Sequence, residues 1–304
     1  MGNILFLFFC LCLGVLLRHV KSLPENMPGT LGGLILHVPL PALCLLSIPD
    51  LEWKLSLIPL GLVTWIVFAM AYFFFTYLGK KYSWDRDLIG SLILTSGFCN
   101  SAFVGFPVIE ALYGKEALKS AIFLDQAGSF LIVSSFGIWV AIHFSSGAIK
   151  KRLLVKKILF FPPFMAFLLA VVLSLLGLRP QGLLREFLEK LVALLTPLAL
   201  MTVGLQLRWS KVRENLSFLS LGLFFKLLLA PFVIFFIYSL LGADKNMLNI
   251  AVIESGMATM ITSSILASTH KLRPELSSMM VGVGVPLSFF TLSFFYFLLR
   301  YASS

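Results

Sequence analysis

The chain alternates long apolar runs with short polar loops. Ten apolar segments can be traced, at about 3–17, 28–48, 55–78, 88–112, 118–144, 158–177, 188–207, 216–242, 246–268 and 276–299. Most approach the roughly twenty residues that a helix needs to cross a bilayer. The pattern predicts an all-α membrane protein with ten transmembrane helices. The fourth segment departs from a uniform span between Thr95 and Pro107, which reads Thr-Ser-Gly-Phe-Cys-Asn-Ser-Ala-Phe-Val-Gly-Phe-Pro. A continuous spanning helix has no use for Gly97, Asn100, Ser101, Gly105 and Pro107 so close together. Pro107 cannot donate to the carbonyl four residues back, and the glycines loosen the adjoining turns. Irregular backbone at that depth is tolerated only inside protein or beside a water-filled cavity. Two readings follow: a broken helix whose peptide groups and Asn100 amide bind something polar, or a glycine-kinked helix packed closely on its neighbours.

Composition agrees with the membrane assignment, since 59% of the 304 residues are hydrophobic and 12% charged, about half the charge of a soluble domain. The net charge of +10 does not indicate nucleic acid, because the basic residues occupy loops rather than one face. The loops after the odd-numbered segments carry 15 Lys and Arg and the opposite side carries 8. By the positive-inside rule both termini face outward and the basic loop 145–157 is cytoplasmic. The expected location is the inner or plasma membrane, with the lipid bilayer as partner. The first segment resembles a signal-peptide core, but it lacks a positive n-region and a small-residue cleavage site, so it is assigned as a span. Cys10, Cys12, Cys44 and Cys99 all lie in apolar segments and are expected to be free thiols.

The basic loop divides the chain into similar halves, 1–148 and 149–304. Leu55-Ser56-x-x-x-Leu60-Gly61-Leu62 matches Leu216-Ser217-x-x-x-Leu221-Gly222-Leu223, Ser96-Gly97 matches Ser255-Gly256, and Pro41 matches Pro197. Five spans per half is an odd number, so the second half enters from the opposite side. An inverted repeat with interrupted helices is the architecture of secondary transporters.

Leu40-Pro41-Ala42-Leu43, Asn100-x-x-Phe103-x-Gly105-x-Pro107 and Pro197-Leu198-Ala199-Leu200-x-x-x-Gly204-Leu205-Gln206-Leu207 resemble the auxin efflux carrier family, which includes bacterial malate and malonate permeases. The resemblance covers the whole chain. It implies two inverted five-helix repeats, a scaffold part and a moving transport part, and broken crossover helices 4 and 9 around an organic-anion site contacted by Asn100. The chain departs from the family pattern in span 9, where Met257-Ala258-Thr259-Met260-Ile261-Thr262 lacks the usual proline and asparagine. There the second break must rest on Gly256 and on Thr259, Thr262, Ser263 and Ser264.

Ionisable groups at bilayer depth are functional candidates. Lys226 lies deep in span 8 and needs a carboxylate partner, a bound anion, a neutral form, or the carbonyls of a broken helix. Asp125-Gln126 in span 5 and Glu254 in span 9 are candidate ion-coupling residues, and either acid could pair with Lys226. Glu254, beside broken backbone, could also ligate Na⁺, a cation that takes carboxylate and carbonyl oxygens. A related inverted-repeat fold, the sodium–bile acid symporters, places an acidic residue near this crossover. The candidate substrate site therefore comprises Gly97, Asn100, Ser101, Lys226, Gly256, Thr259 and Thr262, with helix breaks at Pro41, Gly105, Pro107 and Pro197. No cofactor is expected beyond Na⁺ or H⁺ as coupling ion, and a homodimer is an admissible assembly.

These features point to a non-enzymatic secondary carrier for a small organic anion, working by elevator-type alternating access on an H⁺, Na⁺ or substrate gradient. No Gly-x-x-x-x-Gly-Lys-Ser/Thr stretch is present to bind ATP phosphates. An intramembrane enzyme is the first alternative, against which the acids are single rather than clustered. A channel or sensor is the other.

Overall fold

The computed structural model describes residues 2–20, 22–24, 26–50, 57–145, 160, 162–206 and 215–302. The division at 148/149, most of the basic loop around it, the Leu55-Ser56 pair, and Arg208, Lys211 and Arg213 lie outside them. The described residues are helical throughout apart from turns and breaks. The helices are α1 (Gly2–Leu17), α2 (Met27–His37), α3 (Pro39–Ser47), α4 (Ile58–Lys81), α5 (Arg86–Ser96), α6 (Phe106–Phe123) and α7 (Ile138–Phe144). They continue as α8 (Pro162–Leu175), α9 (Gly182–Ala193), α10 (Leu195–Gln206), α11 (Leu216–Phe224), α12 (Ala230–Leu240), α13 (Lys245–Ser255), α14 (Ile261–Thr269) and α15 (Pro274–Ala302). Wider π-type turns occupy Ser101–Gly105, Leu124–Phe130, Val133–Gly137 and Phe225–Leu229. Met27–Ser47, Ile58–Lys81, Glu116–Phe144, Leu216–Leu240 and Pro274–Tyr301 are long and apolar enough to cross a membrane.

Proline chemistry explains where several helices stop. A proline ring excludes the carbonyl four residues earlier from the helical ladder. For Pro41 that carbonyl belongs to His37, the last residue of α2, and for Pro197 to Ala193, the last residue of α9. The interruptions therefore fall at Val38 and Leu194, and each proline sits in the first turn of the helix that follows. Pro107 and Pro231 use another solution. Phe106 N–H donates to the Ser101 carbonyl and Ala230 N–H to the Phe225 carbonyl, five residues back. Each proline then begins a fresh helix near a position where its missing N–H costs nothing.

The helices form two groups. In the first, α1 lies along α10, and α3 is flanked by α8 and α9. The α1–α10 crossing is a backbone contact, since a β-carbon on Gly14 would stand 2.3 Å from the Met201 carbonyl oxygen and one on Gly204 2.3 Å from that of Leu11. The second group comprises α4 to α7 and α11 to α15, with α5 central among α4, α7, α14 and α15. Contacts between the groups include Ile265 against Gly32 and an apolar cluster joining Cys44 and Ile48 to Phe123, Phe130 and Phe167.

Polar links mark the ends of the bundle. Arg273 donates to Asp85 at 2.6 Å and to Asp87 at 2.8 Å, and Arg86 donates to the His143 carbonyl at 2.6 Å. These contacts gather the loops after the third, fifth and ninth apolar segments at one end. Arg185 with Asp50, at 2.9 Å, joins the chain after α3 to the start of α9. Cys10, Cys12, Cys44 and Cys99 lie on or between the helices outside any disulfide.

Candidate functional site

Helices α5 and α13 are built alike. Each has 11 residues and follows an aspartate in extended conformation, Asp85 (φ −60, ψ 146) and Asp244 (φ −60, ψ 157). Each ends at a serine followed by a glycine in nearly the same conformation, Gly97 (φ −84, ψ −8) and Gly256 (φ −85, ψ 0). Beyond those glycines both helices are broken, and the two breaks cross. Cys99 and Thr259 face each other as an isolated antiparallel bridge. Asn100 N–H donates to the Ala258 carbonyl at 2.9 Å and Met260 N–H to the Phe98 carbonyl at 3.4 Å. This exchange satisfies four peptide groups that are buried away from solvent. The Thr259 hydroxyl, donating to the Thr95 carbonyl at 2.7 Å, adds a third link to the last turn of α5.

The second break thus forms without proline. Gly256 packs against Pro231 and Leu292 at ordinary contact distance, whereas Gly97 is tightly enclosed by the Ile93 carbonyl, Phe68 and Ala71. Ser263 donates to the Met260 carbonyl in its own first turn, and Ser264 reaches the Ser277 carbonyl on α15 at 2.9 Å. Thr262 is buried on α14 beside them.

Against this satisfied backbone, several buried side chains have no hydrogen-bond partner. Among them are both amide atoms of Asn100; the Ser101 hydroxyl and the Glu254 carboxyl group face each other, close enough to interact but outside good hydrogen-bond geometry. Asn100 holds a non-helical conformation (φ −82, ψ 61), and its carbonyl accepts from Val104 and Gly105. Its peptide is therefore committed while its side chain is not. The Glu254 carboxyl group lies against Gly105, on the Ser101–Gly105 turn. Buried polar groups in folded proteins are nearly always bonded, so the Asn100 amide, with both of its atoms unbonded, stands out, as do single atoms of Asp125, Gln126, Ser91 and Ser134 elsewhere among the helices.

Lys226 is fully buried, and its ammonium donates to the Ser255 carbonyl at 2.8 Å and to Cys99 Sγ at 3.1 Å. Among the described residues no carboxylate lies within ion-pair distance of it, so neither Asp125 nor Glu254 is its direct partner. Contact with a broken helix's carbonyl is one of the readings that the sequence allows. Cys99, read from sequence only as a small apolar thiol, is thus part of the crossover. Its signal was its place beside Asn100 in the break.

Asp125 and Gln126 lie in the turn Leu124–Phe130, within electrostatic reach of Cys99 and Glu254. Gln126 Nε2 donates to Asp125 Oδ2 at 3.0 Å, leaving Asp125 Oδ1 and Gln126 Oε1 unbonded. That turn packs on α4 through Thr64 and Ser129, whose hydroxyls are 3.0 Å apart. His37 bonds the Gly33 carbonyl of its own helix. Among the described residues no three His, Cys, Asp or Glu side chains converge as a metal site. A cavity of about 920 Å³ opens between the two helix groups, lined by Leu17, Arg18, Met27, Leu205, Ser268 and Glu275 among others. Helix α14 runs from the crossover to its wall.

The family model described as a membrane transport protein matches residues 1–152 and 147–296, nearly the whole chain. The chain belongs to this membrane transport family, that of the auxin efflux carriers. An uncharacterized transporter of Methanothermobacter thermautotrophicus is 27% identical over 282 residues, covering 92% of each chain. An uncharacterized transporter of Methanocaldococcus jannaschii is 24% identical over 284 residues, covering 90% of each. Like these transporters, the protein is a multi-pass membrane transporter.

Proposed function

We propose that this transporter is a secondary carrier for a small organic anion, a mono- or dicarboxylate, working by elevator-type alternating access. The observation that carries the proposal is the buried, unbonded Asn100 amide, with the Ser101 hydroxyl facing Glu254, beside two crossed helix breaks. An unpaired buried polar group costs about 1–3 kcal/mol, and a ligand that bonds it recovers this. A carboxylate accepts from Asn100 Nδ2 and from Ser101, and a substrate hydroxyl or protonated acid donates to Asn100 Oδ1. Lys226 balances the anion's charge. Glu254, with Asp125-Gln126 as a second buried acidic group, couples the step to an H⁺ or Na⁺ gradient, or the substrate gradient alone drives it.

The parallel construction of α5 and α13 supports a duplicated unit of five helices inserted in opposite senses. The two helix groups correspond in this reading to a scaffold, α1 to α3 with α8 to α10, and a moving part carrying the crossover. The cavity beside Ser268 is the cytoplasmic approach, and both termini face outward. A homodimer through the scaffold is compatible with this motion.

The test is uptake of labelled mono- and dicarboxylates by proteoliposomes. Saturable uptake accelerated by substrate on the opposite side is expected. Product formation without transport would favour an enzyme, and unsaturable conductance a channel.

A further inference from the structure

We infer that Lys226 is a tethered cation: its ammonium fills, from within the protein, the crossover position that a free alkali ion would need. The proposed carrier therefore cycles without Na⁺. The transport consequence rests on the carrier reading above, whereas the position of the ammonium does not.

Ser255 is the last residue of α13. The final carbonyls of a helix lack intrahelical partners and carry its negative dipole end, a place that favours a cation. At this end the acceptor is the Ser255 carbonyl, and the group on it is Lys226 Nζ at 2.8 Å. A second ammonium proton points to Cys99 Sγ across the crossover, at 3.1 Å. One side chain thus joins the end of one broken helix to the break of the other. The neighbouring residue of Ser255 is Glu254, whose buried carboxyl group faces Ser101 and lies within electrostatic reach of Lys226.

Chain geometry explains how a lysine comes to be here. Pro231 cannot complete an α-helical turn with Leu227, and the chain widens over Phe225–Leu229 to accommodate it. Lys226 is the second residue of that widened turn and is entirely enclosed, beyond any snorkelling route to water. A further cation within about 4 Å of such an ammonium loses roughly three orders of magnitude in affinity at an effective dielectric constant near 20. Na⁺ and the lysine are therefore mutually exclusive.

The experiment compares thermal unfolding of the purified transporter in NaCl and in choline chloride at matched ionic strength, for the wild type and Lys226→Met. The wild type is expected to unfold at the same temperature in both salts. Lys226→Met is expected to unfold earlier in choline and to regain stability with Na⁺, which enters the vacated position. Na⁺-specific stabilisation of the wild type, or a Lys226→Met protein indifferent to the salt, would overturn the inference. Should Lys226→Met not survive purification, Lys226→Gln is extracted from membranes in each salt. Recovery only in NaCl supports the inference, and equal recovery, or failure in both, counts against it. Uptake in choline equal to uptake in Na⁺ completes the test. No uptake of any carboxylate, with the thermal pattern as expected, would sink the carrier reading and leave the cation assignment standing.

Discussion

Gly105 and Glu254 touch across the crossover: a β-carbon on Gly105 would stand 2.6 Å from Glu254 Oε1 and 2.8 Å from Oε2. The glycine is helical in φ and ψ, so its small size, not conformational freedom, is what the position uses. Because the obstructed atoms are the end of a side chain, Gly105→Ala is expected to fold and to displace the carboxyl group by rotation about its χ angles. Uptake should fall about tenfold or more, equivalent to at least about 1.4 kcal/mol of misplacement, with little change in melting temperature. Transport kinetics and thermal unfolding of the same preparation check this. Normal uptake would remove Glu254 from the mechanism.

Asn100→Ala separates a binding residue from a structural one. The native amide makes no hydrogen bond within the protein, so its removal breaks none and relieves a desolvation cost of about 1–3 kcal/mol. The variant should melt at or above the wild-type temperature while losing carboxylate uptake and carboxylate-dependent thermal shift. Loss of stability would assign the amide to the fold.

Much of this architecture was legible in the chain. Hydropathy located the apolar segments, and the density of Gly, Asn, Ser and Pro between Thr95 and Pro107 located the first break, because such residues conflict with an apolar span. Pro41 and Pro197 marked interruptions of their spans, though the breaks lie at Val38 and Leu194, ahead of the rings that cause them. The partners of each break were not legible. Thr259 bonds Thr95 across 164 residues, and nothing local in either segment encodes that pairing. Helices apolar on every side carry no periodic face to show what they pack against. Lys226 was conspicuous as a charge, but its acceptor is a main-chain carbonyl, which residue identities do not reveal.

Arg273 ties α15 to the start of α5 through Asp85 and Asp87. Arg273 is partly exposed, at 37%, so each pair is worth about 0.2–1 kcal/mol and is screened by salt. Arg273→Ala is expected to lower the melting temperature by a few degrees at low ionic strength. The difference should shrink in about 1 M salt, where the screening length is near 3 Å. Thermal unfolding across a salt series checks this. A salt-independent loss would mean that Arg273 acts through packing of its aliphatic stem.

The contact between α1 and α10 should tolerate no enlargement. At Gly204 an added β-carbon meets the Leu11 carbonyl at 2.3 Å and Gly14 Cα at 2.8 Å, and at Gly14 it meets the Met201 carbonyl. These obstructions are backbone, so no rotamer change relieves them and the helices must separate along their length. Overpacking a core commonly costs about 1–3 kcal/mol, and a rigid backbone clash belongs at or above the upper end. Gly14→Val and Gly204→Val are therefore expected to cut the yield of folded protein sharply. Gly29→Ala, where nothing lies within 4 Å of the added carbon, should behave as wild type. Detergent-resistant yield, measured by gel filtration of the three variants side by side, tests the contact. If Gly204→Val matched the wild type in yield and melting temperature, α1 and α10 would not cross at these glycines.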